Sequence, residues 1–534
     1  MSPAIDRRRF LTVLGGATAG LAVTGRLASP SAAHAAPDPG PFGLGVASGD
    51  PLHDSVVLWT RLGPDPRTAP VAIRWELADD ERFVKIRRSG TVAALPENAH
   101  AVHVEVADLP PGSWFHYRFL ADGEASRVGR TRTLPAPGNR EPLKLAVASC
   151  QAWVGGPYPA YRDLAEQEPD LVFHLGDYIY ETRDGSLEEF RRLYALYKSS
   201  PELRDAHAAA PFVVTWDDHE SANDAYRGGA ENHQPADEGR WRARRDRAQR
   251  AYDEWMPVRL SGTSVVRDGE RIYRGLRFGL LADLSMLDLR TYRDKQVAAT
   301  DPAVDSPGRT ITGDAQMGWL KDRLDRSTSQ WKLVGNSVMV SPVQFPPLPA
   351  EVGEAVDTIG LLPPDGVTYN TDQWDGYTAD RRELFAHLRD QGIRDTVFLT
   401  GDIHSAWACD LPVDAGTYPA SQTIGVELVC TSVTSNNLDD ITGSPPRTTS
   451  IAVEEAVEEA VKASNRHIKH LNFDDHGYSV LDVTPARVQM DYYVIADRTV
   501  RDSGARWQTG WQVATNQMRV RPAERPASRQ AGDR

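Results

Sequence analysis

Four clusters along this chain of 534 residues combine side chains that bind metal ions. Cys150 closes Ala148-Ser149-Cys150, and Asp177 and Tyr180 share the run Gly176-Asp177-Tyr178-Ile179-Tyr180-Glu181. Asp217, Asp218 and His219 are consecutive, and Asp402 stands two residues before His404. Thiolate, phenolate and imidazole suit a transition metal, whereas carboxylates suit a hard cation such as calcium. A carboxylate shared between two such sites bridges them. Two metals ~3.5–4 Å apart can then clamp both oxygens of an in-line phosphoryl displacement. Singly, each piece has a plainer reading. An Asp after a strand commonly caps a helix, an isolated Cys is commonly a buried inert thiol, and His219 could be an ion-paired imidazole. Cys409, after Trp407-Ala408, reads as structural. The specific signal is the recurrence of metal-capable groups in one region.

Strands must present those groups. Leu145-Ala146-Val147-Ala148, Leu171-Val172-Phe173-His174-Leu175, Phe212-Val213-Val214-Thr215-Trp216 and Thr396-Val397-Phe398-Leu399-Thr400 are short apolar runs, each ending just before a cluster. Such runs lack polar alternation, which marks sheets covered on both faces. With helical stretches between them (Tyr158 to Glu166), they predict an α/β domain. Loops at the carboxyl ends of such strands converge, and ligands bind there. Residues 42–135 read instead as all-β. Val102-His103-Val104-Glu105-Val106 alternates with period two, and Leu109-Pro110-Pro111-Gly112 turns the chain, as in a small immunoglobulin- or fibronectin-like β-sandwich. The expected organisation is a β-sandwich over 36–137 and a catalytic domain over 138–518. Residues 341–378 read as a Pro/Gly-rich lid, Ile451 to Lys469 as an amphipathic helix, Tyr478–Val483 and Val488–Val494 as edge strands, and 519–534 as a flexible tail.

The first 35 residues read as an address. Arg7-Arg8-Arg9 precede Phe10-Leu11 and a mild apolar stretch, and Ala33-His34-Ala35 fits a cleavage pattern. Twin arginines before Phe-Leu resemble the twin-arginine (Tat) signal, so the expectation is export of the folded chain by the Tat translocase to a secreted or cell-envelope location. No other window holds ~18 consecutive apolar residues, so no transmembrane anchor is expected. Hydrophobic residues at 40% and charged residues at 25% exclude wholesale disorder. The net charge is −14; residues 1–35 carry four Arg and one Asp, which leaves −17 without them. A surface of that sign repels nucleic acid, and no stable nucleic-acid complex is expected. Bound cations invert a local field, so an anionic small molecule remains compatible. With three cysteines, at least one stays outside any intrachain disulfide, and pairing of Cys409 with Cys430 stays open.

These runs, with Trp216-Asp217-Asp218-His219-Glu220 and Gly401-Asp402-Ile403-His404-Ser405, resemble the PhoD-type alkaline phosphatase/phosphodiesterase family. Leu287-Asp288-Leu289-Arg290-Thr291-Tyr292-Arg293-Asp294 and Trp374-Asp375-Gly376-Tyr377 fit the same pattern, as do Gly45-Val46-Ala47-Ser48-Gly49-Asp50-Pro51 and Leu58-Trp59-Thr60-Arg61 near the front. The resemblance implies an N-terminal β-sandwich before a metallophosphatase domain of two β-sheets packed between helices. It also implies an iron–calcium site: Cys150, Asp177, Tyr180 and His404 would hold ferric iron, and Asp177 would bridge to calcium held also by Asp218 and Asp402. Family members often carry two asparagines after the Asp-Asp-His-Glu run. Here Ser221-Ala222-Asn223-Asp224 follows, with Asn223 the candidate phosphate contact. Asn336 is a further calcium or phosphate candidate. Arg290 and Arg293 are phosphate candidates too, with structural salt bridges as the alternative for at least one.

The implied reaction is hydrolysis of small phosphate esters through attack of a metal-bound hydroxide. His219 would protonate or orient the leaving-group oxygen. The same metals suit a phosphodiesterase or phospholipase D acting on phospholipid head groups or nucleotide diesters. From another class comes an exported binding protein whose metals are structural and closed to water. A serine-nucleophile ester hydrolase lacks its G-x-S-x-G elbow.

Overall fold

The computed structural model describes residues 40–63, 68–259, 271–299, 301–344, 370–437, 440 and 458–527. The expected export signal and most of the expected lid lie outside the described residues.

Two large sheets stack face to face. The first has ten strands, and its centre is a parallel trio, Leu143–Ala148, Leu171–His174 and Phe212–Val214, aligned Leu145 to Leu171 and Val172 to Phe212. The second has seven, with Ala282–Met286, Trp331–Asn336, Thr396–Thr400 and Thr423–Val429 running parallel side by side. Successive side chains on these strands serve two interiors. Leu145, Val147 and Phe173 meet Leu284, Leu333 and Val397 between the sheets. Ala146, Val172 and Phe212 turn outward against Tyr158, Phe190, Leu203 and Trp255. Both faces are buried, which is why these runs show no polar alternation.

Helices close the stack. Leu187–Lys198 and Pro201–Ala209 pack on the first sheet, each started by a serine whose hydroxyl accepts an N–H in the first turn: Ser186 from Glu189 at 3.1 Å, and Ser200 from Leu203 at 3.3 Å. Pro201 at the first helical position suits that start and separates the two helices. Asp314–Arg326 and Thr378–Asp390 cover the second sheet through Leu320 and Leu384, packed with Val334 and Phe398. The order is helix, sheet, sheet, helix.

The front residues do form two facing sheets, with Val46, Leu58 and Val104 packed on Ile73, Leu77, Phe115 and Tyr117. One of those sheets is continuous with the ten-stranded sheet, because Val46–Gly49 runs parallel to Phe212–Val214 with Gly49 opposite Phe212. A Cβ on Gly49 would lie 2.2 Å from the Pro257 carbonyl oxygen, so only glycine permits the join.

Three expectations are corrected. Gly477–Val483 and Arg487–Ile495 are interior strands, because Ala505–Ala514 and Arg521–Ala523 continue the sheet beyond them. Residues 519–527, expected in the flexible tail, therefore include the true edge strand; 528–534 lie outside the described residues. The helix expected from Ile451 to Lys469 ends at Ser464, and Ile468–Asn472 pairs as a strand with Ala406–Pro412. The Cys409 side chain is buried there, and all three cysteines are free.

Candidate metal centre

The clusters sit where strands of both sheets end, and tight loops bring them together. Cys150, Asp177, Asp402 and His404 all hold left-handed backbone, with φ of 58°, 56°, 64° and 54°. Such conformations cost a non-glycine residue on the order of 1–3 kcal/mol and persist where surrounding bonds impose them. Here the Cys150 and Gln151 N–H groups donate to the carbonyls of Gly176 and Asp177 at 3.2 and 3.1 Å. Glu220 then clamps two loops: its carboxylate accepts the N–H groups of Asp177 (3.2 Å), Tyr178 (2.7 Å) and Asp217 (2.9 Å). Gly176, at φ 109°, lets those loops touch, because a Cβ there would lie 2.5 Å from the Asp217 Cβ.

Donor atoms of Cys150, Asp177 and His404 lie within 4.8 Å of one another. The Tyr180 hydroxyl joins them, donating to Asp177 Oδ2 at 2.8 Å, lying 3.2 Å from His404 Nε2 and accepting from Ser435 Oγ at 2.6 Å. His404 Nδ1 donates to the Asn436 carbonyl at 2.7 Å, which turns the Nε2 lone pair toward the cluster. Three further groupings, Asp177-Asp218-His219, Asp217-Asp218-Asp402 and Asp218-Asp224-Asp372, meet the same distance limit. Asp177 belongs to both the mixed set and a carboxylate set.

Electrostatics explain why such a cluster suits cations. Burial first, and neighbouring carboxylates after it, push Asp177 and Asp402 well above the usual carboxylate range. Burial and then Asp177 likewise push the Cys150 thiol up, so a thiolate there requires a positive partner. Burial takes His404 down to about 4 and keeps it a neutral donor. Against the same burial penalty, Glu181 and then Asp218 and Asp177 hold His219 well above its ordinary value. Asp177 Oδ1 and Asp218 Oδ1 are buried without a hydrogen-bond partner, and an orphaned buried carboxylate oxygen is costly unless a cation meets it. The donors present fit metal ions.

Cys150, Asp177, Tyr180, Asp218, Asp402 and His404 thus converge. His219 lies at the rim, its Nδ1 2.6 Å from Glu181 Oε2 and its ring 4.2 Å from that of Tyr180. The Asn223 side-chain amide is anchored by one Nδ2–H that donates to Glu231 at 2.8 Å, and the group has a second N–H to offer. Asn336 is satisfied internally, donating to Val338 and Thr400 and accepting from Trp374 Nε1 at 3.0 Å. Arg290 and Arg293 are both buried in ion pairs with carboxylates rather than held open for phosphate. Asp217 belongs to the clusters legible in sequence, although no role follows for it there; Glu220 flanks that cluster and Glu181 ends the Asp177 motif, but Asp372 stands apart from every cluster.

A model of the PhoD-like phosphatase matches residues 145–492, and one of the PhoD-like phosphatase N-terminal domain matches 27–135. The chain belongs to the PhoD-like phosphatase family. It is 38% identical over 525 residues to alkaline phosphatase D of Bacillus subtilis (strain 168), covering 92% of this chain and 84% of that one. It superposes on a solved structure of PhoD with a TM-score of 0.79 at 34% identity, covering 92% and 94% of the two chains. A purple acid phosphatase from yellow lupin seeds shares the fold at 11% identity and a TM-score of 0.50, over 88% of this chain and 74% of that one. As a PhoD-like phosphatase, the protein is a phosphoric ester hydrolase, and its family is of the metal-dependent kind. No helix among the described residues is long and apolar enough to cross a membrane.

Proposed function

We propose that this PhoD-like phosphatase is an exported alkaline phosphatase in which Cys150, Asp177, Tyr180 and His404 hold ferric iron. Asp177, Asp218 and Asp402 hold calcium. The observation that carries this reading is the shared carboxylate: Asp177 lies within reach of a thiol and imidazole on one side and of Asp218 on the other, with Oδ1 unpartnered. When bound, such cations lower the pKa of water and polarise phosphoryl oxygens.

The chain's own residues supply the rest. The loops tied by Glu220 hold the donors on fixed backbone, so little reorganises when ester arrives. His219 engages Glu181 through Nδ1, leaving Nε2 to deliver a proton to the departing oxygen. Arg290 neutralises part of the carboxylate charge from behind, which lets an anion approach a chain of net negative charge. Export through the Tat translocase rests on residues 1–35, and it suits a protein that must fold around metal first.

Elemental analysis of purified protein, paired with assays on p-nitrophenyl phosphate and bis-p-nitrophenyl phosphate, tests this reading. Iron and calcium in near-stoichiometric amounts, a visible charge-transfer colour and faster monoester turnover are expected. A colourless, iron-free preparation with full activity sinks the iron assignment, and dominant diester turnover replaces the monoesterase with a diesterase acting on substrates such as phospholipid head groups.

A further inference from the structure

Glu181 closes the strand-end motif that begins at Gly176, and its carboxylate is taken up by His219 and the Asn223 main chain. Its side chain is 8% exposed, and both carboxylate oxygens are engaged on one neighbouring loop. Oε2 lies 2.6 Å from His219 Nδ1, and Oε1 accepts the Asn223 N–H at 2.8 Å. The His219 side chain keeps 22% exposure, with one face of the ring against Tyr180 at 4.2 Å and a tilt of 35°. The imidazole is therefore pinned at one edge and along one face, while about a fifth of its side chain stays exposed.

We propose that Glu181 is a positioning residue for His219, holding the ring in the orientation that aims Nε2 at the leaving-group oxygen. This rests on the reading of His219 as proton donor. A carboxylate that orients an imidazole through Nδ1 leaves Nε2 as the atom available to a reacting group, the arrangement by which a third residue commonly fixes an acid–base histidine. An exposed Glu–His pair would contribute little, but here the carboxylate is buried and held by a main-chain N–H, so its place is set independently of the histidine. Two loops are joined as a result: the bond from Asn223 ties the segment after Asp218-His219-Glu220 to the segment carrying Asp177 and Tyr180. In the step, the P–O bond to the leaving group breaks, the departing oxygen takes the electron pair, and the Nε2 proton moves to that oxygen. The neutral imidazole left behind recovers a proton from solvent.

Leaving-group dependence reads this role, because a good leaving group needs no proton and a poor one does. Wild type, Glu181→Gln, His219→Ala and the double variant are compared on 2,4-dinitrophenyl, p-nitrophenyl and phenyl phosphate, with metal content and urea midpoint measured for each. For Glu181→Gln, kcat on phenyl phosphate is expected to fall on the order of 100-fold, far more than on the dinitrophenyl ester, as loss of general-acid assistance predicts. His219→Ala shows the same selectivity, and the double variant is no worse than His219→Ala. Glu181→Asp, which keeps the charge and shortens the reach, recovers part of the loss and serves if Glu181→Gln fails to fold. An equal fall on all three esters, or selectivity in His219→Ala but not in the Glu181 variants, overturns the positioning role alone. Absence of selectivity in His219→Ala overturns the proton-donor reading, and the role of Glu181 with it.

Discussion

Arg290 grips Asp217 through two hydrogen bonds, Nε to Oδ1 at 2.7 Å and Nη2 to Oδ2 at 2.6 Å, with both side chains 2% exposed. The same guanidinium reaches Asp372 at 2.7 Å and Asp402 at 3.2 Å. Arg290 is thus a fixed positive charge at the carboxylate cluster, and of the paired aspartates at 217 and 218 it claims the first more tightly: the Asp218 carboxylate lies 3.7 Å away.

Removing that charge should hurt stability before it touches chemistry. Breaking a buried pair on one side costs about 3–5 kcal/mol, because the abandoned carboxylates remain desolvated. Arg290→Ala is therefore expected to lower the urea midpoint of chelator-treated protein by a corresponding amount. Lysine cannot reproduce the two-pronged grip, so Arg290→Lys should recover only part of it. Equal midpoints for wild type and Arg290→Ala would contradict this account.

Loss of a donor should do the reverse. Cys150→Ser and Asp177→Ala are expected to lower phosphatase activity by more than roughly 100-fold, beyond what loss of an outer partner of a metal ligand usually costs. Unfolding should stay cooperative, since the sheets beneath are packed independently of these side chains. Activity is to be measured alongside bound metal; wild-type rates in either variant would show that the site is misplaced.

Gly176→Ala probes the approach of the two loops. A methyl there meets the Asp217 Cβ at 2.5 Å and its backbone N at 2.8 Å, on backbone with φ 109°. A strained position of this kind costs on the order of 1–3 kcal/mol. The expected result is a lower thermal midpoint together with lost activity, because Asp217 and Asp177 are driven apart. A variant with wild-type midpoint and rate would mean that the loops tolerate separation.

His174, at the end of the strand that leads to Asp177, gives a pH test. It is fully buried, neither ring nitrogen has a partner, and burial takes it down to about 3. A histidine lowered in the fold contributes stability above its unfolded value of 6.5, and that stability is lost as pH falls toward 3. Wild type minus His174→Leu should therefore shift by on the order of 3 kcal/mol between pH 7.5 and 4, at about 1.4 kcal/mol per unit. The leucine variant becomes relatively more stable in acid. Urea midpoints of both proteins across that range check it, and parallel curves would refute the buried neutral state.

Much of this molecule was legible in sequence because its signals are local. The apolar runs before Cys150, Asp177, Asp217 and Asp402 mark strands buried on both faces, and the donors at their ends follow from residue type. The edge-strand reading of 477–495 failed for a reason that is not local. Those strands look like others of their composition, and only the later pairing of Ala505–Ala514 makes them interior.

By itself, then, the sequence determined which residue types stand at the strand ends, and with them the metal chemistry open to the chain. Tertiary structure decided which of those groups serve cations and which serve the scaffold. Asp217 and Asp218 are neighbours of identical chemistry, yet Arg290, 73 residues after Asp217, grips one and leaves the other an orphaned oxygen. Glu181 meets His219 across 38 residues in the same way. The role of a carboxylate depends on its desolvation and on the charge beside it, and both are set by loops from two sheets meeting in space.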